Sequence, residues 1–517
     1  MAVALVEVMS RFPSWVPGSS MVVNALVSML SFSTASVLGY DASMMNAFNI
    51  LPSYTEYFSL TAATIGLNSG IVWIGACVGS LAPIKLPDHI GRKPALFYSA
   101  MVSMIGSALQ TGSQDIAMFL VARFILGVGV GGTYVAEPIL ITETLPTKYR
   151  ALGLGAFTDV YYVGGLMSSG ITYGTAKISS TWAWRVPSLL QLVFTIVSVA
   201  TLPWIPESPR YLAHRARLDE ALKAIAQACS DGDLSDTESQ AQLLQMTQSL
   251  KFELNIEEPS VWEIARNPAL RKPIIIVFTV AVVTMMAGSN IFSYYLGTSL
   301  TNAGITDPTT QLEISIILNA FCLVVSVVGT FLADSLGRKQ LALISTAGCT
   351  VFLFIIGALA RYYGTSTNET AIYASIAMMF LAQGFYSFGW TPLATMYPPE
   401  VLNYQIRSVG MSWFVTWQNL VLLVPIFAYP VAVESIGWII YMINGAFDFL
   451  ALFAIAFYWV ETRNLSLEAA KLFDPRVEAE IIDIEATVQK IEPGSVNIID
   501  ETVRETKAAA GDAYGSP

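Results

Sequence analysis

The 517-residue chain is short of charge, of histidine and of cysteine: Asp, Glu, Lys and Arg make up 13% of it, beside two His and four Cys. That is about half the charge density of a soluble domain, which argues against a soluble enzyme. Three cysteines, Cys77, Cys322 and Cys349, lie in apolar runs and Cys229 in a polar stretch, so no framework of extracellular disulfides is suggested. His89 and His214 both fall in predicted loops. With no nucleophile–base or metal constellation in an apolar run, neither catalysis nor a cofactor is expected. No Gly-x-x-x-x-Gly-Lys-[Ser/Thr] occurs, so transport driven by ATP has no support. The first 18 residues lack the charged, apolar, small-residue order of a cleaved signal peptide. Much of the net charge of −11 sits beyond Trp459, and no basic patch points to nucleic acid.

Apolar residues are abundant, at 54%. A hydrocarbon core of about 30 Å needs roughly 20 of them at 1.5 Å rise each. Windows of that length predict twelve helices, at 22–47, 67–82, 95–111, 116–141, 151–173 and 188–204, then 273–296, 312–332, 341–360, 373–395, 408–431 and 438–459. The chain thus reads as an all-α polytopic membrane protein. It has an N-terminal segment 1–21, a six-helix bundle 22–204, a polar helical linker 205–272, a second six-helix bundle 273–459 and an acidic tail 460–517. Of the 27 Lys and Arg, only Lys177, Arg185 and Arg361 fall on the face opposite the linker, and Arg123 lies inside a span. The positive-inside rule therefore places both termini and the linker in the cytoplasm, most simply of a cell at its plasma membrane. Asn368-Glu-Thr370 is then the sequon on the far side and a candidate glycosylation site, whereas Asn464-Leu-Ser466 would be cytosolic. The tail begins as an amphipathic stretch, Leu465 to Phe473, and turns acidic and disorder-prone beyond about Glu492.

The two halves repeat a charged pattern. Asp88-His-Ile-Gly91-Arg92-Lys93 follows helix two, and Asp334-Ser-Leu-Gly337-Arg338-Lys339 follows helix eight. Glu143 is followed seven residues on by Arg150, and Glu400 seven on by Arg407; Glu207-Ser-Pro-Arg210 after helix six answers Glu461-Thr-Arg463 after helix twelve. Anchoring by bases alone would explain the arginines but not acids at fixed spacing. A duplicated half with a site at the interface is the plan of many secondary transporters. Asp88, Arg92, Glu143 and Arg150 in one half, and Asp334, Arg338, Glu400 and Arg407 in the other, are accordingly candidates for a cytoplasmic gate, with ordinary surface pairing as the alternative.

Further motifs join these: Gly39-Tyr40-Asp41, Arg123-Phe-Ile-Leu-Gly127-Val-Gly129-Val-Gly131, Pro206-Glu207-Ser-Pro-Arg210, Tyr294-Tyr295, Gly389-Trp390-Thr-Pro392-Leu, Tyr397-Pro-Pro-Glu400 and Glu461-Thr-Arg-Asn-Leu-Ser466-Leu-Glu468. Over roughly 39–473 the chain resembles the sugar-porter branch of the major facilitator superfamily, and its Gly-Trp-Thr-Pro-Leu form is similar to fungal lactose or hexose permeases. The resemblance implies a monomeric secondary transporter working by alternating access, with protons and a small molecule as its partners and the bilayer as its solvent. It also implies that Asp41 and Arg123 pair, and that protonation of the acid releases the base. That predicts proton symport, with a static salt bridge in a facilitator as the alternative.

The same resemblance offers Asp159, Asn290, Tyr294, Tyr295, Trp390, Thr395, Asn419 and Met285 as substrate-binding candidates, with Thr158, Trp413 and Trp417 nearby. Two positions depart from a sugar site. Thr284-Met285-Met286 stands where many sugar porters carry glutamine, and Thr395 where many carry a sugar-stacking tryptophan. The cargo is thus a hexose or disaccharide, or else a less hydroxylated metabolite; a sugar sensor that does not transport is a third reading. Glu137 and Asp159, ionisable residues within spans, are open between recognising a cationic group and serving as second proton sites. Gly127, Gly129 and Gly131, at spacing two, cannot line one helix face and imply close backbone approach to neighbouring helices.

Overall fold

The computed structural model describes residues 14–81, 89–255, 261–363, 368–402 and 406–463. Asp88, the amphipathic stretch from Leu465 and the acidic tail lie outside them, and the side chains of Arg150 and Arg407 are likewise not described. Twelve long helices follow the expected order: α1 Ser20–Ile50, α2 Ala62–Leu81, α3 Arg92–Thr111, α4 Ile116–Thr144, α5 Thr147–Thr175 and α6 Trp182–Thr201. The second half holds α7, in two segments Pro268–Met286 and Ser289–Asn302, then α8 Pro308–Leu336, α9 Arg338–Tyr363, α10 Glu369–Val401, α11 Arg407–Ile436 and α12 Ile439–Tyr458. Ten spans are long and apolar enough to cross a bilayer on composition alone. α3 and α5, at 20 and 29 residues, have the length but a more polar make-up.

Side chains such as Val324, Phe331, Leu450 and Phe457 stand exposed on the helices' outer faces. An apolar exterior of that extent is what lipid, not water, solvates. Inside each half the helices approach through glycine. A side chain at Gly127 or Gly131 would run into the Val72 and Ala76 carbonyls of α2, and one at Gly129 into Ser99 and Ser103 of α3. The spacing of two thus serves two neighbours of α4 at once. Helix starts are capped by Asp115 accepting from the Met118 N–H at 2.7 Å and by Asp307 accepting from Thr310 at 2.8 Å. Asn368 does the same for α10, its side chain accepting from the Thr370 N–H at 3.0 Å.

The two halves meet where α5 packs on α8 and α10, α2 on α11, and α1 on the second segment of α7. In the linker, Leu218–Cys229 buries Leu218, Ala221 and Ile225 against Tyr211, Leu212, Leu243 and Leu250. The linker also holds the start of α1: Asp231, in the left-handed region at φ 50°, accepts from the Ser20 N–H at 2.7 Å and the Ser20 hydroxyl at 2.8 Å.

Most helix ends shift by a few residues, α6 running Trp182–Thr201 against an expected 188–204, and two of the differences have a local cause. The span 273–296 is not one helix: it breaks at Ala287-Gly288 and is again non-helical at Tyr295, with φ −132° and ψ 31°. Gly288 faces Leu353, whose Cδ1 would lie 2.8 Å from a Cβ there. The break is patched by the Asn290 amide, which donates to the Met285 carbonyl at 2.6 Å. Such repair by neighbours is how broken helices survive at membrane depth. Helix ten does not end at Thr395 but runs through Pro398 and Pro399 to Val401; the two prolines bring no N–H to the ladder, and Pro398 O still accepts from the Leu402 N–H at 3.2 Å.

Candidate transport site and its charged networks

Glycine at a positive φ opens each half's charged corner on the face nearest the linker. Gly91 (φ 106°) and Gly337 (φ 95°) precede α3 and α9, and any side chain there would press on Glu207 and Glu461 respectively. Only glycine combines that backbone with that closeness. Glu207 accepts from the backbone N–H groups of Arg92 and Lys93 at 3.0 and 3.3 Å; Glu461 accepts from those of Arg338 and Lys339 at 2.8 and 3.1 Å. Each acid therefore sits at a helix N-terminus, where the orphan N–H groups and the dipole favour a carboxylate. Burial pushes the Glu207 carboxyl above its usual range, with the Ser208 N–H, Lys93 and Arg92 opposing the shift.

The first side chains of α3 and α9 then reach the ends of α4 and α10. Arg92 donates to Glu143 through Nε at 3.0 Å and Nη2 at 3.3 Å, and the Ser208 hydroxyl donates to the same carboxylate. Arg338 donates to Glu400 through Nε at 3.1 Å and Nη2 at 2.8 Å and to Asp334 at 2.8 Å, and the Thr462 hydroxyl donates to Glu400 at 2.6 Å. The repeat read in the sequence is thus a repeated three-element clamp. Ser208 and Thr462, its hydroxyl members, were not anticipated, although each directly follows the repeated glutamate.

Deeper in the first half, Asp41 of α1 and Arg123 of α4 form a fork-to-fork pair, Nη1 to Oδ1 and Nη2 to Oδ2 both at 3.0 Å. Arg123 is fully buried and Asp41 nearly so. The guanidinium also donates to the Asn68 carbonyl at 2.7 Å, and Gln191 of α6 donates to Asp41 at 3.3 Å. Tyr161 of α5 and Tyr294 of α7 lie within electrostatic reach of Asp41.

Tyr161 also lines a narrow cavity where the halves meet. Ser43 and Asn46 of α1, Tyr161 and Tyr162 of α5, Phe292 and Ser293 of α7, Ser315 and Asn319 of α8 and Gln383 of α10 supply its hydrogen-bonding and aromatic groups; among the described residues no carboxylate or cation lines it. Both ends are closed across the interface. On the linker side, Thr395 donates to the Leu154 carbonyl at 3.3 Å and Thr330 to Asp159 at 2.7 Å. On the opposite side Gly297 lies against Ile50, and the Leu296 N–H, released from its helix by the non-helical Tyr295, donates to Asn46 at 3.1 Å.

None of the eight substrate-binding candidates lines this cavity. Tyr295 donates to the Ile426 carbonyl at 2.7 Å and Tyr294 stands against Trp73, so both tie α7 to neighbours. Trp390 is fully buried between Thr346 of α9, to which its indole N–H donates at 3.2 Å, and Trp459. Asp159 and Thr395 close the linker side, Asn290 and Met285 engage each other, and Asn419 is buried on α11. The lining groups that sequence reasoning missed carried a usable signal: Asn46, Asn319 and Gln383 are uncharged amides inside apolar spans, where polar groups are costly.

The model of the family described as "Sugar (and other) transporter" matches residues 26–472. Among curated proteins the chain is 27% identical over 446 residues to the MFS-type transporter oryC of Aspergillus oryzae, covering 84% of this chain and 82% of that one. It is 27% identical over 455 residues to a high-affinity glucose transporter of Kluyveromyces lactis, covering 84% and 81%. Among solved structures it superposes on the proton:xylose symporter XylE bound to 6-bromo-6-deoxy-D-glucose with a TM-score of 0.74 at 18% identity, covering 88% of this chain and 99% of that one. The partially occluded inward-open form of XylE from E. coli gives 0.71 at 18% identity, covering 86% and 99%. With twelve membrane helices in two halves, a closed cavity between them and a family model matched over most of its length, this multi-pass membrane protein belongs to the sugar (and other) transporter family of the major facilitator superfamily.

Proposed function

We propose that this transporter is a proton symporter for a neutral sugar, with Asp41 and Arg123 as its coupling pair. The observation that carries the reading is the buried fork-to-fork ion pair, with Tyr161 of the cavity lining within its electrostatic reach. A lone buried charge is far costlier than a pair, so protonating Asp41 frees the guanidinium to seek other partners and shifts the balance between the two access states. Uncharged lining groups favour a neutral cargo, because binding a charged one would bury a charge without a partner. The Arg92–Glu143 and Arg338–Glu400 clamps act in this reading as the gate on the linker side, taken as cytoplasmic from the distribution of Lys and Arg. Asn368, exposed on the opposite side, is the proposed glycan acceptor.

A second cargo has support from the cavity itself: Phe292, Leu318 and Cys322 give it an apolar share that suits a less hydroxylated neutral metabolite. One experiment separates these. Uptake of labelled hexoses, pentoses and disaccharides is measured in yeast lacking its own sugar transporters, at two external pH values, with and without an uncoupler. Accumulation that rises at acid pH and is lost with the uncoupler, and that Asp41→Asn abolishes while exchange persists, is expected. Accumulation preserved in Asp41→Asn refutes the coupling role, and absence of any sugar uptake by protein at the cell surface moves the cargo to the second class.

A further inference from the structure

A second, narrow cavity lies wholly within the N-terminal half between α1, α3, α4 and α6. Thr34, Ser103, Thr133, Thr195 and Ser198 bring five hydroxyls to it. The Ser103 and Thr195 hydroxyls are buried and have no protein partner. Thr34 shares a hydrogen bond with Ser198 at 3.0 Å and lies beside the carboxyl of Glu137 on α4. Glu137 is fully buried, and neither of its oxygens makes a well-formed hydrogen bond. Among the described residues no charged or titratable group of a neighbouring helix acts on it; the Thr34 hydroxyl is the polar group it faces.

The cavity's position matters more than its size. On α1, Thr34 lies two turns, about 10 Å, from Asp41. On α6, Gln191, Thr195 and Ser198 step along one face, with Gln191 on Asp41 at one end and Ser198 on Thr34 at the other. Glu137 in turn lies less than two turns, about 9 Å, before Glu143 of the linker-side clamp. A polar space with several hydroxyls satisfies the two to four partners that an internal water needs, and water with hydroxyls conducts protons where apolar packing does not.

We propose that this cavity is a proton route, separate from the cargo cavity, that joins Asp41 to the linker face with Glu137 as its relay acid. When the Asp41 acid loses its proton, the carboxylate closes on Arg123. The resting Glu137 acid gives its proton to water on the linker side, and its carboxylate takes up, by way of cavity water and the hydroxyls, the proton that Asp41 has released. The coupling proton thereby leaves without crossing the bound cargo. This inference rests on the proton-symport reading.

Two measurements on the purified full chain test it. Infrared difference spectra between two pH values report carboxyl protonation whatever the cargo is. A buried-carboxyl signal that Glu137→Gln removes and Asp41→Asn leaves is expected. Thr195→Val and Ser198→Ala, substitutions that retain the fold more readily than a change at Glu137, should leave that signal in place and slow D-glucose uptake driven by a pH gradient in proteoliposomes at least roughly tenfold. In proteoliposomes, Glu137→Gln should slow D-glucose uptake driven by a pH gradient at least roughly tenfold. D-Glucose counterflow, which needs no net proton movement, should stay within about twofold. Spectra unaltered by Glu137→Gln, or driven uptake and counterflow slowed alike, overturn the route. Wild-type uptake indifferent to the gradient overturns the coupling reading and the route together, whereas driven uptake untouched by Glu137→Gln overturns the route alone.

Discussion

Removing one charge from the second clamp should open the linker side of the cavity. Glu400 ends α10 one turn beyond Thr395 and Met396, the residues that close that side against Leu154 and Gly155 of α5. Arg338 and Thr462 hold Glu400 through three hydrogen bonds of 2.6 to 3.1 Å. Glu400→Gln keeps the shape and one acceptor but discards the charge. A charge-assisted bond in a buried site is worth about 1.5–3 kcal/mol and an exposed pair about 0–1. The Arg338 side chain is 7% exposed and that of Glu400 21%, so the loss sits between, at about 2 kcal/mol. If the open state lacks the contact, the closed-to-open ratio falls roughly 30-fold, since 1.4 kcal/mol is a factor of ten. The assay is the maleimide labelling rate of Thr395→Cys in purified protein whose four native cysteines are replaced by serine. A rise of roughly 30-fold on adding Glu400→Gln is expected. Glu143→Gln should act independently, because the two clamps share no side chain, and the two rises should multiply. A labelling rate that stays within about twofold in a folded Glu400→Gln protein refutes the clamp as a gate.

The remaining expectations concern packing, cargo and pH. Gly127→Ala places a methyl against the Val72 carbonyl of α2 and should lower the thermal midpoint in detergent by an overpacking cost of about 1–3 kcal/mol; Gly170→Ala, with nothing within 4 Å, should leave it unchanged. Gln383→Leu removes an amide whose carbonyl oxygen is unpaired at the cavity, and should raise KM by roughly 5–150-fold, the equivalent of about 1–3 kcal/mol, with little change in stability. Trp390→Phe should instead lower stability and leave KM alone, so a KM effect there would return the tryptophan to the cargo site. The hydrogen bonds from Ser20 hold the Asp231 carboxyl below its usual range. A depressed acid adds stability above its unfolded value, about 3.9, which is lost as pH falls through the folded one. The midpoint difference between wild type and Asp231→Ala should therefore be present at neutral pH and shrink on acidification below about 4; a difference that grows there refutes the tether.

Much of the architecture is legible in the sequence because membrane depth leaves the chain one cheap choice, the helix, and because the charged corners repeat at fixed spacing. Arg92, Glu143, Arg338 and Glu400 meet as their order predicts. The break in α7 is less legible: Gly288 announces it only once Leu353 of α9 is known to press there. The cavity is the least legible part. Tyr295, Asn290 and Trp390 carry the right groups for a cargo, but Tyr295 and Trp390 spend theirs on a carbonyl and a threonine of neighbouring helices and Asn290 spends its amide N–H on the Met285 carbonyl of α7 itself. The groups left for cargo are decided by which side chains the packing fails to satisfy, such as Gln383 and its unpaired oxygen. Composition and periodicity do not carry that information.

The duplication is also informative where it fails. The linker-side corners match residue by residue, Gly91 with Gly337, Arg92 with Arg338, Glu143 with Glu400, Glu207 with Glu461 and Ser208 with Thr462. Each clamp ties together helix ends of its own half, Arg92 to Glu143 and Arg338 to Glu400, so the two halves share one construction at this face. Inside the bundles the match ends. The first half buries Asp41, Arg123 and Glu137, while the second carries a single acid deep in its spans, Asp448, with no base paired to it among the described residues. The cargo cavity is skewed the other way: Phe292, Ser293, Ser315, Asn319 and Gln383 all come from the second half. After duplication the two halves kept a common mechanics and divided the chemistry, and on the coupling reading the proton belongs to the first half and most of the cargo contact to the second. Substitutions at Glu137 should then alter the drive without altering affinity, and substitutions at Asn319 or Gln383 should alter affinity without altering the drive. A Gln383→Leu protein that loses its response to the pH gradient while binding cargo normally would show that the division does not exist.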